Sequence, residues 1–288
     1  MHRQIGRVID QQASWAKPLG EKAQDLLGSV FADRRRPIKD FLNGTWLGHP
    51  VHPAVTDVPV GAMTVAALLD VTGQDSAADL AVATGLAGMA ASAASGAADA
   101  VDAYGEPQVY ATVHATLMIT SFAAYAGSML LRLGPRGGRP VARLLSFAGY
   151  GALTAGAYVG GDLTYRMGNQ VDRHAFDPHG TKWKALDVTE VPPHTLVKAK
   201  AGSDSLVLYR ADAGGPISAI HSVCAHAGGP LDKGTIVDGC VECPWHQSRF
   251  RLADGHVMQG PAVYDQPRFE VRMMPDGGLE ARRLAAAD

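Results

Sequence analysis

Lysine and arginine are missing from a long stretch of this chain. Between Phe41 and Leu131 there is neither, and no lysine stands between Lys39 and Lys182. With 26 basic and 28 acidic side chains overall, the balance argues against a nucleic-acid binder as a whole. Cysteine is scarce too. Three cysteines do not make a disulfide framework, and the opening MHRQIGRVIDQQ has no apolar core of the signal-peptide kind. No G-x-G-x-x-G follows a strand pattern, so a dinucleotide fingerprint is absent.

What is present is unevenly distributed. Four segments, near Ala54–Val71, Leu80–Ala98, Val113–Leu133 and Leu144–Leu163, are apolar for roughly the 20 residues that cross a bilayer. Short polar connections join them, as in an up-and-down bundle. A soluble alanine-rich bundle is the competing reading, but it would carry a charged stripe on each helix, and these helices lack one. Small residues, as in Ser92-x-x-x-Gly96 and Gly156-x-x-x-Gly160, suit close packing in lipid. From Lys184 onward the pattern changes to period two, in TLVKAKAG, SLVLYRAD, ISAIHSVC, FEVRMMPDG and LEARRL. The expected organisation is therefore multidomain α + β. Residues 1–45 form an amphipathic helical segment, 46–171 a four-helix transmembrane bundle, 172–182 a linker and 183–288 a small antiparallel β domain. In the first segment, Leu26, Leu27, Val30 and Phe31 share one helical face, which fits a helix at the membrane surface or one packed on the bundle.

Four crossings put His49, His52 and His114 on one side of the membrane, together with everything after the fourth helix. Positive charge before the bundle points to a cytoplasmic location for that side. The stretch GTWLGHPVHPAVTDVPVG resembles the opening of a family of small bacterial four-helix membrane proteins of unassigned function. Two imidazoles from different helices could hold a haem, or serve a quinone site, so His49, His52 and His114 are candidate cofactor residues. The plain alternative is that the His-Pro pairs cap and orient the first helix.

Chemistry concentrates in two loops of the β domain. One is Cys224-Ala225-His226-Ala227-Gly228-Gly229-Pro230, the other Cys243-Pro244-Trp245-His246-Gln247-Ser248. C-x-H followed by C-x-x-H offers two thiolates to one iron and two imidazoles to another, the donor set of a Rieske [2Fe–2S] centre. Zinc is the alternative, since Cys240-Val-Glu-Cys243 is itself a C-x-x-C, but zinc leaves the Gly-Pro loops unexplained. The run from CAHAGGPLDKG to CPWHQSRF, with its flanking strands, is similar to the Rieske ferredoxins of oxygenase systems. That resemblance implies Cys224, His226, Cys243 and His246 as cluster ligands. It implies Gly228, Pro230, Pro244, Trp245 and Ser248 as residues surrounding them, and the two histidines as the exposed edge that meets a partner. Gln247 departs from the family, where glycine usually follows the second histidine. The bridging cysteine pair of high-potential Rieske proteins is also missing, which favours the lower part of the range of roughly −150 to +300 mV. Neither a catalytic oxygenase domain nor the single anchor helix of a quinol-oxidising subunit is expected. The expectation is a membrane-tethered one-electron carrier, working with a reductase or another redox protein. The alternative is a protein in which the cluster senses redox state and the bundle transmits the change.

Overall fold

The computed structural model describes residues 2–134, 136–177 and 180–285. Pro178 and His179 of the expected linker, and Pro135 in the last interhelical loop, lie outside the described residues. The chain divides into two compact units, Met1–Ile38 with Val51–Asn169, and Lys39–Pro50 with Gln170–Asp288.

In the first unit, α1 (His2–Asp10) and α2 (Ala13–Val30) come before the main bundle, and the short α3 (Arg36–Asn43) runs out of the unit. The bundle itself is α4 (Val51–Thr72), α5 (Asp75–Ala100), α6 (Glu106–Leu133) and α7 (Arg139–Gly161). The helices α4, α5 and α6 contain their expected apolar segments, whereas α7 ends two residues short of the expected Leu163, where a π-helical turn, Asp162–Arg166, takes over. The first three are long and apolar enough to cross a membrane. Their packing is inverted relative to a soluble bundle. Leu68, Leu80, Ile119, Leu130 and Leu144 are all more than 60% exposed, while Asp70, Ser92, Ser95, Ser121, Ser128, Arg132 and Ser146 are buried. Large apolar side chains outside and polar ones inside are what lipid, not water, selects. This is a multi-pass membrane domain. Ahead of it, α2 packs on the bundle through Ala16 and Gly20; Leu26 is left exposed, which leaves the membrane-surface reading of its face in place. Gly20 is required there because a Cβ would stand 2.5 Å from Thr112 Oγ1.

The bundle is two related hairpins, α4–α5 and α6–α7. His52, Met63 and Asp70 on α4 each stand 62 positions before His114, Tyr125 and Arg132 on α6. Gly85, Ser92 and Gly96 on α5 each stand 64 positions before Gly149, Gly156 and Gly160 on α7. The contacts repeat with the numbering. Met63 fills the notch at Gly85 as Tyr125 fills the one at Gly149, and His52 lies on Gly96 as His114 lies on Gly160. Charge is the exception. Asp70, Asp75 and Asp79 of one hairpin answer Arg132, Arg139 and Arg143 of the other, and they pair across the hairpins. Asp70 and Arg132 are fully buried against each other.

The second unit holds a six-stranded antiparallel sheet and a four-stranded one. The larger sheet is built from β1 (Lys184–Ala185), β2 (Val197–Ala201), β3 (Asp204–Arg210) and β4 (Ile217–His221), with two late strands. Then come β5 (Thr235–Val237), β6 (Cys240–Glu242), β7 (Arg249–Arg251) and β8 (Val257–Gln259), the smaller sheet, and finally β9 (Arg268–Met273) and β10 (Leu279–Arg283). The orders are β1-β10-β9-β4-β3-β2 and β5-β6-β7-β8. Period-two alternation along β3 serves two cores. Leu206 and Leu208 pack with Ala219 and Phe269, while Val207 turns to Ile220, Phe250 and the two cysteines of the candidate site.

The domain boundaries differ from those expected. Residues 39–50 pack with the β unit: Thr45 Oγ1 donates to Ala262 O (3.3 Å), and a Cβ at Gly260 would meet Thr45 and Asp40. The expected linker packs with the β unit as well, since Arg173 N–H donates to Ala225 O (3.2 Å). Periodicity cannot see such segments, because buried polar residues such as Lys39, Asn43 and His174 anchor them in place of an apolar face.

Candidate metal centre

The two loops leave the sheets by the same turn. Cys224 N–H donates to Gly229 O (2.8 Å) and Gly228 N–H returns to Cys224 O (2.9 Å). In the second loop, Cys243 N–H donates to Ser248 O (2.8 Å) and Gln247 N–H to Cys243 O (3.0 Å). Gly228 and Gln247 therefore hold equivalent places, with φ of +83° and +62°. This left-handed conformation is why glycine suits the position; Gln247 adopts it at the usual cost of a side chain there. The second loop thus makes the same turn as the first although it carries a side chain at this place.

These turns aim donors at the sulfurs. The N–H groups of His226 and Ala227 point at the Cys224 sulfur, and those of Trp245 and His246 at Cys243. Both cysteines are buried and unbridged. Their mutual hydrogen bond acts in opposite senses, drawing Cys243 down to about 7 and, with burial, pushing Cys224 well up. Gly229 permits the approach of the loops, because a Cβ there would stand 2.6 Å from Cys243 Sγ and 3.2 Å from the Trp245 ring. The imidazoles converge separately. His226 Nδ1 and His246 Nδ1 are 3.2 Å apart, with ring centres at 5.0 Å. Two nitrogens about 2.0 Å from one tetrahedral metal lie about 3.3 Å from each other, so this pair suits one metal. Among the described residues, no three of these four side chains bring ligand atoms within 4.8 Å of one another. A single zinc ion would need all four that close. A cluster with thiolates on one iron and imidazoles on the other fits; zinc does not.

Other expected residues fall around the loops. Ser248 is fully buried and its Oγ accepts the Ala262 N–H (3.0 Å), which leaves its own proton to donate. Pro230 pairs with Val223 at the base of the first loop, Pro244 is an exposed turn residue after Cys243, and Trp245 is 56% exposed. Cys240, on β6, is buried with its thiol pKa raised by burial. One expectation is corrected. His226 is not part of an exposed edge, being only 8% exposed beside Gln170, Val171, Val263 and Tyr264. Burial, then His246 and the cations Lys39 and Arg173, holds its imidazole neutral with a pKa of about 3.

Sequence reasoning missed the brace behind the first loop. Gln266 is buried; its Oε1 accepts the Ala225 N–H (2.8 Å), and its Nε2 donates to His221 O (3.0 Å) and Val223 O (2.7 Å). His174 joins it through Nε2 to Val223 O and Nδ1 to Asp177, both at 2.7 Å. With both ring nitrogens engaged, the His174–Asp177–His221 group is a brace and not a metal site. Spacing gave no signal for Gln266; the H-x-x-D of His174 and Asp177 was one.

Of the candidate residues in the bundle, His52 and His114 come together, with ring centres 6.2 Å apart. His49 does not join them. It is exposed, and its Nδ1 contacts Pro50 O beside it.

Residues 181–270 match the Rieske [2Fe-2S] domain family, and residues 48–173 match the family described as Predicted membrane protein (DUF2231). The anthranilate 1,2-dioxygenase ferredoxin subunit of Burkholderia cepacia is 31% identical over 94 residues, 33% of this chain and 82% of that one. The cytochrome bc1 complex Rieske iron–sulfur subunit of Streptomyces lividans is 31% identical over 123 residues, 42% of this chain and 68% of that one. Among solved structures, a chain from the complex of reduced oxygenase and oxidised ferredoxin in carbazole 1,9a-dioxygenase is 24% identical. That likeness covers 38% of this chain and 99% of the other, with a TM-score of 0.32. The chain belongs to the Rieske [2Fe–2S] family, and its Rieske domain follows a membrane bundle that matches the DUF2231 model.

Proposed function

We propose that Cys224 and Cys243 hold one iron of the [2Fe–2S] centre and His226 and His246 the other. In this reading the chain passes single electrons between a reductase, or a quinone or haem partner, and an acceptor. The observation that carries it is the 3.2 Å convergence of the two Nδ1 atoms apart from the cysteine pair. When bound, the cluster supplies a one-electron couple. The chain's own residues fix its surroundings: matched turns hold N–H donors at both sulfurs, and Gln266 and His174 keep the first loop from yielding as charge changes. Electrons enter or leave at His246 and exposed Trp245, because His226 is covered. The likeness to an oxygenase-system ferredoxin supports a redox-protein partner of that kind. The domain faces the cytoplasm, and a reporter fused to the C-terminus reads that orientation directly.

Low-temperature EPR of the detergent-purified full-length protein tests the assignment. A reduced Rieske signal lost in His226→Ala, His246→Ala, Cys224→Ser and Cys243→Ser, and kept in Cys240→Ser, is expected. A signal that survives any of the first four substitutions overturns that ligand.

A further inference from the structure

The bundle carries a second pair of imidazoles that the electron carrier reading leaves unused. His52 on α4 and His114 on α6 occupy equivalent places in the two hairpins, and they meet where the hairpins face each other. Residues that meet their own counterparts lie at the axis of a two-fold arrangement, as Asp70 and Arg132 also do.

Both rings are held by the same device. His52 Nδ1 lies 2.9 Å from Ser92 O on α5, with Ser95 Oγ at 3.3 Å; His114 Nδ1 lies 2.8 Å from Gly156 O on α7. A carbonyl only accepts, so each Nδ1 is the protonated nitrogen and each Nε2 keeps a lone pair. Neither Nε2 has a hydrogen-bonding partner among the described residues. The neighbouring helix is cut away for each ring. A Cβ at Gly96 would stand 2.8 Å from His52, and one at Gly160 3.1 Å from His114. An Nδ1–H fixed on a carbonyl with a free Nε2 is how a ligating histidine is oriented.

The separation fits one class of ligand. Two imidazoles bonded about 2.0 Å from one metal set their ring centres about 5 Å apart at a tetrahedral angle, and about 6 Å apart when they approach from opposite faces. The cluster pair shows 5.0 Å, and the bundle pair 6.2 Å. Among the described residues no third histidine, cysteine or carboxylate joins the bundle pair, so a bare cation would lack ligands. A metal that brings its own equatorial nitrogens would not. The α5 residues that touch His52 are Ser92, Ser95 and Gly96, so no large side chain stands against the ring there.

We propose that His52 and His114 are the two axial ligands of a haem bound between the hairpins, a second metal centre in this chain. It stands independently of the ligand assignment at the Rieske cluster.

The test uses the full-length protein, produced with a haem precursor supplied and purified in detergent. Haem is counted by the pyridine haemochrome method, and spectra are recorded oxidised and dithionite-reduced. About one haem per chain with a low-spin bis-imidazole spectrum is expected. It should fall about tenfold or more in His52→Ala and in His114→Ala, and stay unchanged in His49→Ala. The Rieske EPR signal, retained in all three, shows that the variants are folded. Should an alanine variant lose that signal too, His114→Met decides: a changed axial-ligand spectrum supports the site, an unchanged one overturns it. Three results overturn the proposal: protein still haem-free after added hemin, haem undiminished in both alanine variants, or extraction of a quinone in place of haem.

Discussion

Two adjacent glycines in the first cluster loop should fail in different ways when each gains one methyl group. Gly228 has φ of +83°, but its nearest neighbour to a new Cβ is Val223 Cγ1 at 3.8 Å, an ordinary contact. The cost of Gly228→Ala is therefore conformational, about 1–2 kcal/mol, partly offset by the stiffer unfolded chain. A net loss of about 1 kcal/mol lowers Tm by roughly 4–8 °C for a domain of this size, with the cluster retained. At Gly229 the added Cβ stands 2.6 Å from Cys243 Sγ, where a relaxed contact needs about 3.5–4.0 Å. About 1 Å must be made up by the sulfur or the loop, and the Trp245 ring at 3.2 Å closes one way out. Displacing a group that orients a metal ligand costs about 10–100-fold in metal affinity, so Gly229→Ala should lose most of its iron. Iron and acid-labile sulfide per chain, with EPR amplitude, give the readout, and cluster absorbance on heating gives Tm. Full iron and an unshifted EPR signal in Gly229→Ala would refute this account of how the loops approach each other.

Removing the closer cation in Arg132→Met leaves buried Asp70 with only Arg143 Nε, at 3.7 Å, and should cost about 3 kcal/mol. Arg143→Met, at a partly exposed ion pair, should cost about 1 kcal/mol or less; thermal unfolding in detergent compares them. His221 is held neutral by burial, then by His174, with its pKa lowered to about 4. Since its folded pKa lies below the unfolded 6.5, stability is full above pH 6.5 and falls as pH drops towards 4. The loss is about 2 kcal/mol at pH 5. His221→Gln should flatten the fall in Tm of the Rieske domain between pH 7.5 and pH 5, and an unchanged slope would assign the acid sensitivity elsewhere. Replacing Gln266 by Leu should leave the Ala225 N–H buried without a partner, at about 1–3 kcal/mol, and broaden the Rieske EPR signal.

The membrane bundle and the four candidate cluster ligands were legible in the chain because both are written locally. Twenty apolar residues in a row are a hydrophobic length, and C-x-H with C-P-W-H is a ligand set with its turns built in. Three-residue strands such as β6 and β7 are too short to show a period, and they emerged only with the sheet. Tertiary structure alone decided that His52 and His114 meet, because which face of a helix turns inward depends on its neighbours. It also decided that Gln266 and residues 170–174 back the first loop, and that His226 is covered. Those residues reach the site by hydrogen bonds across long sequence separations, and such bonds leave no pattern in the chain. The repeat of the two hairpins lay between these cases. Its 62- and 64-residue spacings stand in the sequence, yet Asp70 facing Arg132 shows no likeness until the fold brings the two positions together.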